Sequence, residues 1–285
     1  MILSEHYECP ERENLTEIAY PTDPRAPMSV QSPPFDWRLH ASIPWLFSKR
    51  AGAFDGLDWA NRWLGGYASV QAALRPLVKR RRGMIRKGPA HRGRSGPLHL
   101  LDVGAGGGDL AARLVRWADG QGAPMEVTAL DANPHAVRHA RAALDRRLPA
   151  YLRARVRVEE GDALALPFAS DQFDAATALL VMHHFDAPAA TDLLREMDRV
   201  SARGLVVSDL HRHAAAYFGV KALAKLRPGA SAMFAHDAPL SVRRGYRRPE
   251  LRALADRAGL PDAQIRWRWA FRWVVSTVAG RTLQV

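Results

Sequence analysis

A glycine-rich turn separates an apolar run from an amphipathic segment in the first half of the chain. The run covers Leu98–Val103, the turn reads Gly104-Ala-Gly-Gly-Gly108, and a helical pattern follows at Leu110–Ala118. Glycine adopts left-handed backbone conformations and lets the backbone approach a ligand closely. A helix that begins at such a turn directs free N–H groups toward the same point. The pattern predicts a strand, a ligand-binding turn and a helix in succession.

Strand-like and helix-like segments continue to alternate after this turn. The strand-like runs are 126–130, 156–159, 173–181 and 204–208, and the helical patterns are 134–147, 189–200 and 249–258. A Trp-rich alternating segment at 264–278 predicts a terminal hairpin. Together these elements predict an α/β fold, with a doubly wound, mostly parallel, seven-stranded, Rossmann-like sheet between two layers of helices.

Three segments lie outside this alternation. Residues 1–34 carry several prolines without periodicity, which predicts a loosely ordered N-terminal arm. Residues 35–96 predict a helical cap, which ends near Arg82, and a basic linker over 83–96. Residues 97–285 then form the main domain, and 211–245 interrupt its rhythm as a cap insertion.

Composition restricts the compartment and the partners. A single cysteine, Cys9, cannot form an internal disulfide or a thiolate metal cluster, which favours a reducing compartment. The N-terminus has neither a basic start nor an apolar run, and no segment has the length of a membrane helix, so we expect a cytoplasmic protein. The net charge of +12 is concentrated at Lys79–Lys87 and Arg243–Arg248, which indicates solvated faces or an anion-attracting surface.

The glycine turn fits one of two ligand-binding frames. The dinucleotide frame G-x-G-x-x-G fails, because Asp109 occupies the third glycine position when the frame begins at Gly104. The frame Asp102-x-Gly104-x-Gly106-x-Gly108 is complete. Asp131 ends the second strand, where a carboxylate can accept hydrogen bonds from ribose hydroxyls. Asp131 could instead cap the next helix, although Asn133 before Pro134 is the better cap.

Polar side chains also follow the fourth and fifth strands. His183 and His184 come directly after the fourth strand, on the side of the sheet where open α/β folds bind ligands. A histidine there can take a proton from a hydroxyl, or can simply position the following helix. Asp209 and His211 end the fifth strand and could contact substrate or cap a helix. Asp209, His211 and His213 do not form a convincing metal site, because no second cluster supports them.

The ordered set of motifs resembles class I S-adenosylmethionine-dependent methyltransferases. The matching pieces are Asp102–Gly108, Asp131, the segment Gly161-Asp-Ala with Leu166-Pro-Phe168, and Asp171-Gln-Phe-Asp174 leading to the histidines. The resemblance implies that Asp102 faces the methionine part of the cofactor, and that Asp162 and Ala163 contact adenine. The cofactor-binding set that it implies is Asp102, Gly104, Ala105, Gly106, Gly108, Asp131, Ala132, Asp162, Ala163 and Leu179. Leu179 departs from the small polar residue expected there.

Segments 60–66 and 236–244 are similar to a bacterial subgroup found beside polyketide and phenolic-lipid synthesis enzymes. The resemblance implies transfer of a methyl group to a hydroxyl of an apolar aromatic or polyketide-like small molecule, with His183, His184, Asp209 or His211 as catalytic candidates. C-methylation of a quinone or polyketide precursor is the alternative. We expect a monomer or homodimer, possible contact with a membrane surface, no metal and no nucleic acid.

A nucleic-acid methyltransferase and a non-catalytic scaffold are the other two readings. No Asn-Pro-Pro-Tyr or Asp-Pro-Pro-Tyr motif follows the fourth strand, no cysteine lies near the site, and no separate RNA-binding domain is evident. The first two absences disfavour base-amine and cytosine C5 methylation. A scaffold would have no need of the glycines and carboxylates that are present. Both readings are therefore weaker than the small-molecule enzyme.

Overall fold

The computed structural model describes residues 51–86, 96–226 and 232–278. The predicted arm at 1–34, the first part of the cap and most of the linker lie outside the described residues. The strands are β1 (Leu98–Val103), β2 (Met125–Asp131), β3 (Val156–Glu160), β4 (Ala175–Leu179), β5 (Leu205–Leu210), β6 (Gln264–Arg268) and β7 (Arg272–Ser276). The helices are α1 (Ala51–Trp63), α2 (Gly66–Arg86), α3 (Asp109–Gly120), α4 (Pro134–Arg147), α5 (Ala150–Arg153), α6 (Ala187–Arg199), α7 (Ala214–Leu226), α8 (Ala232–Arg244) and α9 (Arg248–Arg257).

The seven strands form one sheet in the order β3-β2-β1-β4-β5-β7-β6. The five strands from β1 to β5 pair in parallel, whereas β7 is antiparallel to both β5 and β6. The order reverses between β1 and β4, and the crevice at such a switch point is where open α/β sheets bind ligands. The doubly wound, mostly parallel fold is therefore confirmed.

Helices cover both faces of the sheet because the central strands are apolar on both sides. In β1, Leu98 and Leu100 belong to one buried cluster, and Leu101 and Val103 belong to the other. The first cluster includes residues of α2, α3 and α4, and the second includes residues of α6 and α9. This division follows the alternation of side chains along a strand that is buried on both faces.

Two segments differ from the sequence-based boundaries. The fourth strand was expected to run over 173–181, but it ends at Leu179 because Leu180 has a left-handed φ of 59°. A short 3-10 turn, Met182–His184, follows. The linker was expected from residue 83, but α2 continues to Arg86. Within the predicted insertion 211–245, the described residues form α7 and α8.

Buried polar contacts fasten the N-terminal helices to the sheet. The Oγ atoms of Ser69 and Ser208 lie 2.7 Å apart, joining α2 to β5. Arg272 of β7 is only 2% exposed and donates to the backbone carbonyl of Leu64 and to Oδ1 of Asn61, each at 3.0 Å. These contacts hold the segment at 60–66 against the sheet.

Candidate active site

The glycine turn lies at the carboxyl end of β1 and has the backbone geometry that its sequence indicates. Gly104 has a φ of +67°, and a Cβ atom there would lie 2.5 Å from Cγ2 of Val181, so only glycine fits. The amide of Ala105 donates to the carbonyl of Leu130 at 3.0 Å, which anchors the turn to β2. Gly108, with a φ of 74°, is the N-cap of α3, so this helix begins directly at the glycine turn. A compact ligand with anionic or acceptor groups fits against this backbone.

Asp102 is a buried carboxylate with an incompletely satisfied side chain. It is 2% exposed, and its Oδ1 accepts from the Thr177 hydroxyl at 3.2 Å. Among the described residues, its Oδ2 has no hydrogen-bond partner. Burial raises the pKa of Asp102 to about 7, and the charge of Asp131 adds to the rise, while the bond from Thr177 opposes it. A ligand with a positive charge beside Oδ2 would satisfy this carboxylate.

Asp131 ends β2 and links its own turn to the glycine turn. Its Oδ2 accepts from the amide of Gly106 at 2.8 Å, and its Oδ1 accepts from the amide of Asn133 at 2.9 Å. Asn133, not Asp131, caps α4, because the Asn133 side chain accepts from the amide of His135 and Pro134 occupies the first helical position. Burial raises the pKa of Asp131, although these two backbone bonds oppose the rise. Each oxygen keeps a second lone pair for a ligand hydroxyl.

The remaining proposed contacts line the same crevice. The amide of Gly161 donates to the carbonyl of Asp131 at 3.1 Å, which places the segment at 161–163 beside the end of β2. Asp162 also makes the turn that its sequence allows, since its Oδ1 accepts from the amide of Leu164 at 2.9 Å. Ala132, Ala163 and Leu179 are half-buried. The structure therefore brings the implied cofactor-binding residues together at the carboxyl ends of β1, β2, β3 and β4.

His183 and Asp209 form a buried pair at the carboxyl ends of β4 and β5. Nδ1 of His183 lies 2.7 Å from Oδ1 of Asp209, and the side chains are 4% and 2% exposed. Asp209 also accepts from the backbone amides of Leu210 at 2.7 Å and His183 at 3.2 Å. Burial alone would raise the pKa of Asp209, but the facing His183 and these amides lower it below its ordinary value. An ionised carboxylate on Nδ1 leaves Nε2 as the nitrogen that can accept a proton.

His184 and His211 occupy different surroundings. His184 is exposed, and its ring lies 4.2 Å from that of His183. His211 is half-buried against Trp273 at 4.9 Å, and burial together with the nearby His213 and Arg247 lowers its pKa. Asp209 was expected at the open edge of the crevice, but it lies buried behind His183 and does not cap α7. Within the described ranges, no group of three or more potential ligands could hold a metal ion.

Tyr246 is a residue of this site that sequence reasoning missed. Its hydroxyl donates to the carbonyl of Met182 at 2.9 Å and lies 3.3 Å from the carbonyl of Phe185. It therefore holds both ends of the 3-10 turn that carries the two histidines. No local pattern marks Tyr246, because the contact spans more than sixty positions of sequence.

These residues fit S-adenosylmethionine. The unpaired buried oxygen of Asp102 suits the charged methionine end of the cofactor, and the glycine turn leaves room for a close approach. Asp131 offers acceptors for a ribose, and the segment at Asp162 and Ala163 lies next to it along the same edge. These groups are carboxylate oxygens, which accept hydrogen bonds, and backbone amides, which donate them, as an organic nucleoside ligand requires.

Comparison with known proteins agrees with this geometry. The model of a family described as a methyltransferase domain matches residues 100–204. The structure is similar to that of the mitomycin 7-O-methyltransferase, with a TM-score of 0.51 and 20% identity over 86% of this chain and 60% of that one. It is also similar to the methyltransferase domain of a bacterial Hen1 protein, with a TM-score of 0.50 and 16% identity over 74% of this chain and 95% of that one.

A further similar structure is the magnesium protoporphyrin IX methyltransferase of Synechocystis PCC 6803, with a TM-score of 0.47 and 16% identity over 79% of this chain and 94% of that one. A search of curated proteins found no match.

Proposed function

We propose that this S-adenosylmethionine-dependent methyltransferase methylates a hydroxyl of an apolar aromatic or polyketide-like small molecule. The methyltransferase domain at residues 100–204 supports the reaction class and the cofactor, and the residues of the crevice fit that cofactor. The observation that carries the proposed acceptor is the His183–Asp209 pair, at 2.7 Å, two residues after Val181, whose side chain faces Gly104 of the glycine turn. A hydroxyl acceptor needs a base of this kind, whereas an amine acceptor needs none once it is neutral.

The protein supplies alignment and a proton acceptor. S-adenosylmethionine, when bound, provides a methyl group already activated on a sulfonium. Asp209 holds the Nδ1 proton of His183, so that Nε2 is free to accept the proton of a phenol or enol. Assistance of this kind is worth roughly 10²–10⁴ in rate. We assign the base to His183, because Asp209 orients its ring at 2.7 Å and the pair is buried, whereas His184 is exposed.

The surroundings of the pair support an apolar acceptor. Phe271, Trp273 and the half-buried His211 form an aromatic group at the end of β5 and β7. The helices α1, α7 and α8 meet over a small apolar cluster that includes Trp59, Leu64, Val220 and Ala238. Such side chains exclude water and favour a flat or aliphatic ligand. The mitomycin enzyme, an O-methyltransferase by name, is consistent with this choice.

C-methylation of a quinone or polyketide precursor is the second candidate. It uses the same base, because an enolate carbon must also be generated by loss of a proton. RNA is a weaker candidate acceptor, because no Asn-Pro-Pro-Tyr or Asp-Pro-Pro-Tyr motif follows the fourth strand and no cysteine lies near the site.

The single cysteine supports a reducing compartment, and we propose a cytoplasmic location and a monomer or homodimer.

Product analysis tests the proposal. The purified protein is incubated with methyl-labelled S-adenosylmethionine and a panel of resorcinol, alkylresorcinols of increasing chain length and hydroxylated naphthoquinones. We expect label in a methoxy group, identified by mass spectrometry and NMR, with turnover that increases with the apolar size of the acceptor. Label on a ring carbon would support the second candidate. RNA is added as a further acceptor, and label found only in RNA would contradict both.

A further inference from the structure

Three tryptophans form an exposed surface at the carboxyl end of the sheet, beside the crevice. Trp63 at the end of α1, and Trp267 and Trp269 in the β6–β7 hairpin, are 64%, 46% and 69% exposed. The two elements touch, because a Cβ atom built on Gly65 would lie 2.7 Å from the carbonyl of Trp269. We call this group the aromatic face. Isolated surface tryptophans are unremarkable, but three on adjoining elements form a patch that indicates a partner.

Helix α7 carries a second exposed apolar group. Its inner side packs through Ala216, Val220 and Ala224, the last two in the cluster that joins α7 to α1. Its outer side carries Phe218 and Leu226, which are 61% and 80% exposed and two helical turns apart. A helix with apolar residues on opposite sides needs a second apolar contact. We call Phe218, Ala222 and Leu226 the outer stripe.

The segments that carry these groups bear charges of one sign only. The segments 59–66, 213–226 and 264–273 contain no aspartate or glutamate. Arg62 precedes Trp63, Arg266 precedes Trp267, and Lys221 and Lys225 flank the outer stripe, and all four are exposed. Each group therefore combines apolar with basic side chains, and a single partner for both groups must accept both kinds of contact.

We propose that the aromatic face and the outer stripe dock this protein on the surface of an anionic lipid bilayer. Tryptophan favours the bilayer interface because its ring is apolar and its N–H is polar. Basic side chains add attraction to anionic headgroups, and stable attachment requires both signals together. Among the helices of the described ranges, none has the length and hydropathy for crossing a membrane. The inference stands independently of which atom is methylated.

Two other occupants fit less well. In a symmetric dimer the same patch faces itself, which would bring Arg62, Lys221 and their copies together without a compensating acid. A nucleic acid would use the basic residues through its phosphates. It would leave Phe218 and Leu226 without a role. An anionic bilayer contacts both the basic and the apolar side chains.

Vesicle sedimentation tests the proposal on the full chain. Sucrose-loaded vesicles of phosphatidylcholine alone are compared with equal mixtures of phosphatidylcholine and phosphatidylglycerol. We expect binding to the anionic vesicles only, decreasing with salt, with tryptophan fluorescence quenched by brominated lipid. The triple variant W63A/W267A/W269A should lower the partition coefficient by more than about tenfold. Lys221→Ala and Lys225→Ala should each lower it by about fivefold.

Matched controls change exposed residues outside this surface. Tyr151→Ala removes an aromatic that is 58% exposed on α5, and Arg157→Ala removes an exposed cation of β3. Both should bind vesicles as the wild type does, and all variants must keep the circular dichroism and S-adenosylhomocysteine affinity of the wild type. Absence of binding, equal binding to both vesicle types, or equal losses in control and test variants would overturn the proposal. A wild-type dimer that the triple variant converts to a monomer in sedimentation velocity would also overturn it.

Discussion

Tyr246 donates its buried hydroxyl to the backbone carbonyl of Met182, at 2.9 Å, across the crevice end of the sheet. The same oxygen lies 3.3 Å from the carbonyl of Phe185. Burial raises the pKa of Tyr246 well above its ordinary value, so the phenol stays protonated and remains a donor at any working pH. A residue beyond the cap insertion thus fixes the turn that presents His183 and His184.

Tyr246→Phe should loosen this turn without emptying the core. We expect a loss of roughly 1 kcal/mol in the free energy of unfolding, because one donor to two carbonyls is removed. Turnover should decrease while affinity for S-adenosylhomocysteine is retained, since the glycine turn is not touched. Denaturant unfolding and calorimetry measure the two quantities. Equal losses of turnover and cofactor affinity would show that the effect is a general loss of structure.

Asp209→Asn should abolish most of the base assistance. The neutral amide no longer stabilises the positive charge that His183 gains when Nε2 accepts a proton, and an amide nitrogen turned toward Nδ1 would in addition force the proton onto Nε2. We expect turnover to decrease by roughly 10²–10⁴ at neutral pH, with His184→Ala as the milder control. The measurement is turnover from pH 6 to 9 at saturating cofactor. Wild-type turnover in Asp209→Asn would remove His183 from the proposed role.

Asp209→Asn should also change how the free energy of unfolding depends on pH. The pKa of Asp209 is lowered in the folded protein, so its contribution is present above the unfolded pKa and is lost as pH decreases through the folded value. The stability difference between wild type and Asp209→Asn should therefore be larger at pH 7 than at pH 3. Urea unfolding at the two pH values measures it.

Local patterns were sufficient to predict much of the fold and of the cofactor crevice. The glycine turn, the acidic end of β2 and the alternating segments are each encoded within about ten residues, so the mostly parallel sheet and its terminal hairpin could be inferred before any contact was known. Asn133 was correctly preferred to Asp131 as the cap of α4, because Pro134 fixes the first helical position.

Long-range pairings could not be inferred in this way. Asp209 seemed to belong to an open edge, but its partner His183 is 26 positions earlier. Tyr246 and Arg272 have no local signature, since each is defined by partners far along the chain. The end of β4 was also misplaced, because nothing in the sequence shows that Leu180 adopts a left-handed conformation. Buried polar contacts between distant elements are the part of the site that only the structure provides.

Gly104→Ala should damage the cofactor crevice more than another glycine substitution at positive φ. At Gly104 the new Cβ meets Cγ2 of Val181 at 2.5 Å, whereas at Gly259, with a φ of +80°, it meets nothing within 4 Å. Gly259→Ala therefore reports backbone strain alone, of roughly 1–2 kcal/mol. Gly104→Ala adds a steric clash and should also lower S-adenosylhomocysteine affinity. The double variant G104A/V181A should recover part of the stability, and failure to recover any would exclude the clash as the cause.

Asp102 should couple cofactor binding to the release of a proton. Burial raises its pKa to about 7 in the free protein, so the carboxyl is partly protonated at neutral pH. A cationic group beside the unpaired Oδ2 favours the ionised form and lowers this pKa, so binding should release protons between about pH 6 and 8. Affinity for S-adenosylmethionine should increase with pH up to about 7 and then level off. Calorimetry in buffers of different ionisation enthalpy measures both effects.

As pH increases, the folding stability of the cofactor-free protein should decrease, whereas the affinity for S-adenosylmethionine should increase. A carboxyl with a raised folded pKa stabilises the fold fully below its unfolded pKa of about 3.9, and this contribution is lost as pH increases through about 7. Asp102→Asn carries no charge, so without cofactor it should be more stable than the wild type at pH 8.5, yet it should bind S-adenosylmethionine weakly and without proton release. Asp192→Asn, which removes an exposed carboxylate on α6, is the matched control and should change neither property. If Asp102→Asn keeps both the affinity and the proton release, the buried carboxylate does not face the charged end of the cofactor.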